Sequence, residues 1–445
     1  MLGLGAGLHP AAPPVATALS LPPGFGWDTG RFPITVSAQG TSNLVPRDLV
    51  DPAIWSGVAV HVDGVAGDDA NSGLGSADGD FSAAKRTIHA AFLAGNATGA
   101  PYRVIVKPGM FEESAFTKNG SREPDQPCAI LGWNGAVRYR TGPHSVVWSD
   151  AGATSTVAVS AVKRAFRTDQ TTPQGLYQEL EKAADLASCQ ATLNSWFDDA
   201  GVVHVNIGAV PGDTDIALLR SFHGARFMSH VSDLYLENIH CEGGITGALH
   251  CDPVADRNIV VVNSSFKCSA PSNSSAPLDA VQMRRTNGLV AFFNCEASGG
   301  ARDGFSFHED GHAGMHVLTQ KCRAVGNGIS PATSVNGYTL HDAVCGIDLG
   351  GVYGWSRDGS EVHCVQSTHS WFVNTSATAR DVDGTSVAFK CSNTSAMWLQ
   401  NTTADAAGAA TNNAIEANGG AVLTRNHTTI AGSEVASGAG SIGAF

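Results

Sequence analysis

The sequence predicts an all-β chain that folds as a parallel β-helix, a solenoid in which each coil stacks on the one before. The first observation is a tripeptide ending in cysteine, which recurs from Ile239-His240-Cys241 to Phe389-Lys390-Cys391 at intervals of 27, 27, 27, 42 and 27 residues. Its alternation of apolar and polar side chains is typical of a half-buried strand. The second observation is that little helix separates the copies, and a fixed period of about 20 to 50 residues indicates a repeat architecture.

The cysteines of these tripeptides have two interpretations. Free cysteine is small and easily buried, so the thiols can stack in register inside the solenoid. Disulfides between adjacent coils are the alternative, because a strand spacing of about 4.8 Å is within reach of such a bond. We favour the core ladder, since parallel Cβ vectors suit a disulfide poorly and no export signal is visible.

Composition limits the function classes. Charged residues make up 15% of the 445-residue chain, and 27 basic against 40 acidic residues give a formal net charge of −13. A nucleic-acid binder needs a basic face, so we expect no nucleic-acid partner, whereas local basic patches still allow an anionic glycan. No run of about 18 apolar residues is present, so we expect no membrane insertion.

The N-terminal segment, residues 1–55, is predicted to be extended and to dock on a partner or act as a linker. It opens with a Gly/Leu-rich stretch followed by a Pro/Ala-rich one, and its first Lys or Arg is Arg31. Without a positive region before the apolar residues, it does not match a secretory signal. A disordered terminus and an attachment peptide that orders on a partner both stay open. The Gly/Leu-rich start resembles that of phage structural proteins.

The solenoid is predicted to span residues 56–432. Val58, Val60 and Val62 alternate with polar or small residues as in a strand, a helix is predicted to begin near Ser82, and the segment 103–111 is predicted to be strand, Lys-Pro-Gly turn and strand. This order resembles the N-terminal cap of the pectin-lyase-like superfamily, closely over residues 57–115 and loosely to about 430. The resemblance implies a right-handed parallel β-helix with an N-terminal capping helix. It does not imply a reaction, because that fold hosts lyases, hydrolases, epimerases and non-enzymatic adhesins.

A lateral helical insertion is predicted at about residues 160–200. Leu176, Leu180 and Ala183 share a helical face, which predicts a helix from about Pro173 to Ser188. The hairpin that starts at Trp196 resembles a segment of β-helix proteins that act on polysaccharides. We favour the simpler interpretation, in which Trp196 is a hydrophobic staple for the helix.

Four strands that follow the cysteine strands align by eye: 247–252, 279–284, 303–308 and 336–341. Side chains in one column of such an alignment lie about 4.8 Å apart on adjacent coils. The first column holds Gly247, Asp279, Asp303 and Asn336, and the last holds Asp252, Arg284, His308 and His341.

These columns and the loops after them form the densest ionisable cluster of the chain. Loops on one side of a solenoid commonly build its binding face. We therefore expect a site along residues 279–355. The one interval of 42 residues between cysteine tripeptides also predicts an insertion inside 325–360. The catalytic candidates are Asp279, Asp303, His308, Glu309, His341 and Asp342, and the glycan-binding candidates are Arg284, Arg285, Asp310, His312, Tyr338, Tyr353 and Trp355.

Two kinds of polysaccharide cleavage fit these residue types. A glycoside hydrolase needs two carboxyl groups, about 5 Å apart if retaining and about 6.5 to 9.5 Å apart if inverting. A lyase needs a base beside a sugar proton and a cation beside the uronate. The hydrolase pairs are Asp279 with Asp303 and Glu309 with Asp342, and the lyase sets combine His308 or His341 with Arg284 or Arg285.

A structural interpretation competes with both. Asp or Asn before Gly is what a β-turn prefers, so the first column can be structural, and charged residues at strand ends can be a solvated rim. The spacing of the histidines and acids follows no zinc signature. We therefore predict no metal site, with calcium as the cofactor that acidic loops would hold.

The C-terminal residues 433–445 are predicted to be a Gly/Ser/Ala-rich tail. No capping helix follows the last coils, so we expect a neighbouring subunit to cover them, in a homotrimer. Together with the N-terminal segment, this makes the chain similar to phage tailspikes. We expect a spike on a virion or phage-like particle that binds host cell-surface polysaccharide and attaches through its N-terminal segment. The alternatives are a polysaccharide hydrolase or lyase unconnected with a particle, and a purely structural adhesin.

Overall fold

The computed structural model describes residues 17–112, 123–276, 278–329, 334–380 and 386–445. Three long sheets, in which every strand pair is parallel, wind into one right-handed solenoid. Each regular coil contributes one strand to each sheet, in the order sheet 1, sheet 2, sheet 3. This confirms the predicted all-β parallel β-helix.

The strands are short because every coil turns three corners. Sheet 1 comprises Val58–Val62, Tyr102–Val106, Cys128–Gly132, Leu234–Glu237, Ile259–Val262, Leu289–Phe293, His316–Gln320, Cys345–Leu349, His369–Val373, Ala396–Gln400, Val422–Asn426 and Ser441–Ala444. Sheet 2 comprises Gly109–Phe111, Val137–Arg140, Ile239–Glu242, Ser265–Lys267, Glu296–Ser298, Arg323–Val325, Val352–Gly354, Ser376–Thr378, Thr403–Asp405 and Thr429–Ala431. Sheet 3 comprises Ala225–Phe227, Leu249–Cys251, Val281–Arg284, Phe305–His308, Tyr338–Leu340, Ser360–Cys364, Val387–Cys391, Asn413–Gly419 and Ser433–Gly438.

The corner between sheets 1 and 2 is sharp and is built mostly by asparagine. Asn238, Asn263, Asn294, Asn374 and Asn401 each follow a sheet 1 strand and have φ between 49° and 59°. Asparagine tolerates this left-handed conformation better than most residues, so a single residue can turn the chain. The side chains that point inward from the three sheets form one continuous apolar core.

The cysteines are free and buried, which confirms that they are core residues and not disulfides. The prediction that these cysteines stack in one ladder is wrong, however. Cys241 lies in sheet 2 and pairs with Phe266, whereas Cys364 and Cys391 pair with each other in sheet 3. The 42-residue step is therefore a change of sheet. Sheet 1 strands on either side of it start at residues 316, 345 and 369, so no long insertion lies within 325–360.

A helix closes the N-terminal end of the core, as predicted. It spans Ile88–Asn96, later than the predicted start near Ser82, because Thr87 is the residue whose side chain accepts from the Ala90 N–H, at 3.1 Å. Phe92 from this helix is fully buried in the main core. The helix thus covers the apolar end of the first coil.

The predicted lateral insertion is present and holds a helix, but strands occupy most of it. The helix is Leu186–Ala191, and the residues predicted to be helical before it form a hairpin. Pro173 and Gly175 explain the error, because a Pro-x-Gly turn brings the chain back antiparallel to its previous strand. The strands of the insertion are Ser149–Asp150, Ser155–Ala158, Val162–Thr171, Tyr177–Glu179, Glu181–Lys182, Ser195–Asp199, Val202–Asn206 and Ile216–Arg220.

Residues 17–56 of the N-terminal segment dock on the chain's own solenoid. The segment contains Ala18–Leu19, Val36–Ser37, a 3-10 turn at Pro46–Leu49 and the helical turn Ala53–Ser56. It packs apolar side chains on the outward side chains of sheet 1, which form a second buried cluster. A disordered terminus is therefore wrong for this part, whereas attachment to a partner stays a prediction and residues 1–16 are outside the described residues.

The predicted C-terminal tail is part of the solenoid. Ser433–Gly438 continues sheet 3 beside Asn413–Gly419, and Ser441–Ala444 continues sheet 1 beside Val422–Asn426. Within the described ranges, no helix is long and apolar enough to cross a membrane.

Candidate functional site

The register of sheet 3 places the predicted columns as the sequence alignment predicts. Leu249 pairs with Val281, which pairs with Phe305, and Arg284 pairs with His308. Side chains of one column are therefore neighbours on consecutive coils. Both columns belong to the outer face and edges of sheet 3.

The first column is a ladder that ties coils together. Asp279 Oδ1 accepts from the Asp303 N–H at 3.2 Å, and Asp303 Oδ1 accepts from the Asn336 N–H at 2.9 Å. Asn336 Oδ1 in turn accepts from the Ser360 N–H at 3.2 Å. Asp279 and Asp303 are only 2% and 1% exposed. The structural interpretation of this column is thus confirmed, and neither carboxyl group is open to a polymer from outside.

Burial has a second effect on this pair. It raises the pKa of Asp279, and it raises the pKa of Asp303 together with repulsion from the Asp279 carboxylate. Thr339 also donates its hydroxyl to Asp303 Oδ2 at 3.0 Å. Burial and the repulsion between the two carboxylates therefore both favour retention of a proton by this pair.

The last column brings two histidines into contact. The rings of His308 and His341 stack with centroids 3.9 Å apart and planes 13° apart. Burial, with the Arg284 guanidinium second, lowers the pKa of His308 to about 4. Burial, with His308 second, lowers the pKa of His341 to about 3. Both imidazoles are half-buried and neutral at neutral pH, as a general base must be.

Ser306 connects the buried acids with the histidines. Its hydroxyl lies 2.9 Å from His308 Nε2, and its polarity opposes the rise in the pKa of the Asp279 carboxyl group. The sequence alignment did not single out Ser306. The signal was present, because residues two apart on a strand share a face and Ser306 is two residues from His308.

Charged groups surround the histidines. Arg284 Nε donates to Asp310 Oδ2 at 2.6 Å, and Arg285 Nε donates to Asp252 Oδ1 at 2.5 Å. Asp342 Oδ2 accepts from the N–H groups of Glu309 and Asp310, both at 2.9 Å. These groups and the histidines reach the surface together. We call this surface the outer strip, and its residues are Arg284, Arg285, His308, Asp310, His341 and Asp342.

Part of the outer strip has the composition of a cation site. His308, Asp310 and Asp342 each offer one ligand atom, and these atoms lie within 4.8 Å of one another. A neutral imidazole with two carboxylates is a ligand set for a divalent cation. However, Arg284 already neutralises Asp310. The predicted absence of a metal and the alternative of calcium both stay predictions.

Two other candidates, Glu309 and His312, do not belong to the outer strip. Glu309 is buried, and its Oε1 accepts from the N–H groups of Gly314 and Met315 at 2.7 and 3.0 Å. It therefore stabilises the turn after the strand, and this role gives no support to the predicted pairing of Glu309 with Asp342 in catalysis, which stays a prediction. His312 is half-buried, and its Nε2 has no hydrogen-bond partner among the described residues.

The aromatic candidates do not join the outer strip. Tyr338 and Tyr353 are fully buried inside the solenoid, and Tyr353 donates its hydroxyl to Asp348 at 2.7 Å. Their prediction as glycan-binding residues is wrong, because alternation along each strand turns them inward with the core residues. Trp355 is half-buried and lines a cleft of about 900 Å³ between the insertion and the coils. Trp196 is buried in the core of the insertion, where it packs among strand residues and not against a helix as predicted.

Comparison with known proteins shows the fold. No protein-family model matches the sequence, and no curated protein matches it. A solved structure named "Glycoside hydrolase" is similar with a TM-score of 0.50 and 9% identity, over 87% of this chain and 96% of that one. The GH136 lacto-N-biosidase from Eubacterium ramulus has a TM-score of 0.32 and 11% identity, over 87% and 67% of the two chains. The first of these similarities shows that the chain shares a parallel β-solenoid with a known protein.

Proposed function

We propose that the chain cleaves a polysaccharide that lies along the outer strip. The observation that carries this proposal is the contact of the buried Ser306 hydroxyl with His308 Nε2, at 2.9 Å, which orients a half-buried neutral imidazole at the outer strip. A base held in a fixed orientation by a second group is the arrangement of an activated catalytic base. The similar solved structure named as a glycoside hydrolase supports the same class of substrate.

His308 is the proposed general base. Its Nε2 is hydrogen-bonded to the Ser306 hydroxyl, which fixes the orientation of the ring, and its stacking on His341 prevents rotation. The low pKa keeps it unprotonated across the neutral range, so it can accept a proton from a sugar carbon or from an attacking water. Arg284, one strand away in the same column, is placed to bind an anionic or hydroxyl group of the same sugar.

Two reactions use this arrangement. Elimination needs an accessible base and a cation beside a uronate. His308 supplies the base, and Arg284, whose Nε is paired with Asp310, offers the uronate the remaining N–H groups of its guanidinium. Hydrolysis needs an accessible general acid, and the raised pKa of Asp303 supplies a proton but from a buried carboxyl group. The exposed groups therefore favour elimination, whereas the name of the similar structure favours hydrolysis. Both remain within the proposal, and one assay separates them.

That the chain is a spike on a virion or phage-like particle stays a prediction. Binding of host polysaccharide at the outer strip fits it as well as it fits an enzyme. The attachment role of the N-terminal segment has less support, since residues 17–56 are occupied by packing on sheet 1. The homotrimer and the location on a virion also stay predictions, and we give the enzyme precedence.

The test uses the full chain and a panel of bacterial surface polysaccharides and plant pectins. Polymer length, new reducing ends and the absorbance of unsaturated uronate are followed for the wild type and for H308A. We expect the wild type to shorten at least one polymer and H308A to lose at least 100-fold of that rate, as for removal of a general base. Absorbance that rises with the reducing ends identifies a lyase, and reducing ends alone identify a hydrolase.

A matched control is H240A. His240 also pairs with a serine, since its Nδ1 lies 2.9 Å from Ser265 Oγ, but it lies on sheet 2. We expect this variant to keep the wild-type rate. Equal rates for H308A and the wild type, or no shortening of any polymer, contradict the proposal.

A further inference from the structure

The cleft between the insertion and the coils has the features of a binding site that is separate from the outer strip. Its volume is about 900 Å³, at the upper end of the range for small-molecule sites. It lies at the corner where the chain passes from sheet 2 to sheet 3, whereas the outer strip lies at the opposite ends of the sheet 3 strands.

The cleft is held open by fixed polar contacts. Arg164 is buried, and its Nη1 donates to the carbonyl oxygens of Ser269 and Gly299 at 2.6 and 2.7 Å. The same guanidinium forms a two-fold ion pair with Glu179, with distances of 2.7 Å. These bonds join the insertion to two coils. A ligand would therefore meet a pre-formed wall, and less ordering would be needed on binding.

Aromatic side chains offer flat surfaces in this cleft. Trp355 is half-buried and has φ = 58°, a left-handed conformation that is unusual for a bulky residue. Such strain costs about 1 to 3 kcal/mol and clusters at functional sites. Tyr177, from the insertion, is half-buried in the same cleft. Rings of this kind pack against the C–H face of a sugar ring.

An unpaired donor lies beside these rings. Asn327 is 1% exposed, and its Oδ1 accepts from the Gly300 N–H at 2.9 Å. Its Nδ2 has no hydrogen-bond partner in the part of the chain that the structure describes. A buried donor without a partner is costly, so a ligand oxygen at this position would relieve that cost. The neighbouring Gly326 packs directly against the insertion, because a Cβ at this position would lie 2.5 Å from Leu176 Cδ1.

We propose that this cleft binds a saccharide unit, which stacks on Trp355 and accepts a hydrogen bond from Asn327 Nδ2. An aromatic surface next to a fixed amide donor is a pairing suited to a ring with one apolar face and hydroxyl groups at its edge. The inference rests on the proposed function in one respect, since the saccharide would be part of the polymer that is cleaved at the outer strip. Binding in the cleft does not itself require cleavage.

The experiment is fluorine NMR of the full chain labelled with 5-fluorotryptophan. The chain has eight tryptophans, and W355F assigns the resonance of Trp355. The probes are glucose, galactose, N-acetylglucosamine and glucuronate, each at about 50 mM, so that affinities weaker than 1 mM are still detected. We expect at least one sugar to shift the Trp355 resonance. The resonance of Trp371, which is fully buried under the N-terminal segment, should not move and serves as the internal control.

A second variant tests the donor. N327D keeps the oxygen that accepts from the Gly300 N–H but lacks the free donor. We expect it to weaken the sugar-dependent shift at least fivefold while the remaining tryptophan resonances keep their positions. No shift of Trp355 with any of the four sugars, or the same shift in N327D, overturns the inference. Cleavage of polymer without a Trp355 shift rejects the cleft alone, and a shift without cleavage rejects the proposed activity alone.

Discussion

His308 and His341 come from adjacent coils, and their imidazole rings stack with centroids 3.9 Å apart. Two imidazolium charges at this distance repel each other, so the stack opposes protonation of both rings. Burial, supported by Arg284 in one case and by His308 in the other, lowers the two pKa values to about 4 and about 3. The contact is therefore sensitive to acid.

The first prediction concerns stability at low pH. A histidine with a lowered folded pKa stays neutral while the unfolded chain takes up a proton at about pH 6.5. For His341 the free energy of unfolding therefore falls as the pH is lowered from about 6.5 to about 3, and it levels off below. We expect H341N to reduce this fall by roughly 2 kcal/mol, measured by guanidinium unfolding at pH 7 and 4.5. H427N, at an exposed position, is the control and should keep the wild-type slope. An unchanged fall in H341N contradicts the prediction.

The second prediction concerns Ser306 as a positioning residue. Its hydroxyl holds His308 Nε2 at 2.9 Å, so S306A frees the ring without removing the base. We expect kcat to fall about tenfold, KM to stay nearly constant and the acid limb of the pH–rate profile to move. S306T should restore most of the rate, because Thr339 occupies the paired position on the next coil. If kcat and the pH profile of S306A match the wild type, Ser306 has no such role.

The third prediction concerns Asp303, whose carboxyl group is both a hydrogen-bond acceptor and a titratable acid. D303A removes the acceptor for the Asn336 N–H and the Thr339 hydroxyl, and we expect a loss of about 3 kcal/mol in the free energy of unfolding. D303N keeps an oxygen for Asn336, and its amide can donate to the Thr339 hydroxyl.

The pH dependence distinguishes these variants further. Because the folded pKa of Asp303 is raised, its contribution to stability is complete below about pH 4 and is lost as the pH rises through the folded value. D303N removes this dependence and should therefore equal or exceed the wild type at pH 8. Thermal unfolding at pH 5 and pH 8 measures this pH dependence. A D303N variant as unstable as D303A at pH 8 would refute the stabilising role of the hydrogen-bonded column Asp279, Asp303 and Asn336.

The fourth prediction concerns the N-terminal segment. Trp27 is nearly fully buried, its indole N–H donates to Phe32 O at 2.8 Å, and its ring packs on His316 of sheet 1. We expect W27A to lower the free energy of unfolding by about 3 to 5 kcal/mol and to make residues 17–56 sensitive to limited proteolysis. V65A, at a side chain that is 87% exposed, should change neither. Resistance of W27A to the protease contradicts the docking.

The fifth prediction concerns the thiols. All ten cysteines are buried and free, and burial raises the pKa of Cys251 and Cys364 to about 12. A buried thiol with a raised pKa has almost no thiolate at pH 8. We expect none of the ten to react with a thiol reagent in the folded protein and all ten to react in guanidinium. Rapid modification of any thiol before unfolding contradicts this.

Sequence reasoning predicted the columns of sheet 3 well. Asp279 and Asp303 align because coils of similar length repeat the same strand start, and the alternation along each strand fixes which side chains share a face. The same alternation would have placed Tyr338 inside, since it is two residues from the inward Leu340. The prediction of Tyr338 as a binding residue followed its residue type and neglected its face.

Other features were not accessible from the sequence. A tripeptide of an apolar residue, a polar residue and cysteine places the cysteine side chain inside the solenoid on any of the three sheets. The sequence around Cys241 and Cys364 is therefore similar although the two residues lie on different sheets. The cleft depends on how the insertion packs, and Arg164, which fixes it, contacts residues more than 100 positions away. Such long-range contacts leave no periodic trace in the sequence.

The docked N-terminal segment has a consequence for biosynthesis. Its aromatic residues rest on strands that are made hundreds of residues later, with Phe25 against Trp371 and Trp398 and the indole of Trp55 against Tyr235. A solenoid can add coils in order as the chain leaves the ribosome, because each coil contacts only its neighbours. Residues 17–56 must instead wait for the coil that holds Trp398 before their apolar side chains are covered. The fold of this early segment is therefore completed only after a much later part of the chain has been made.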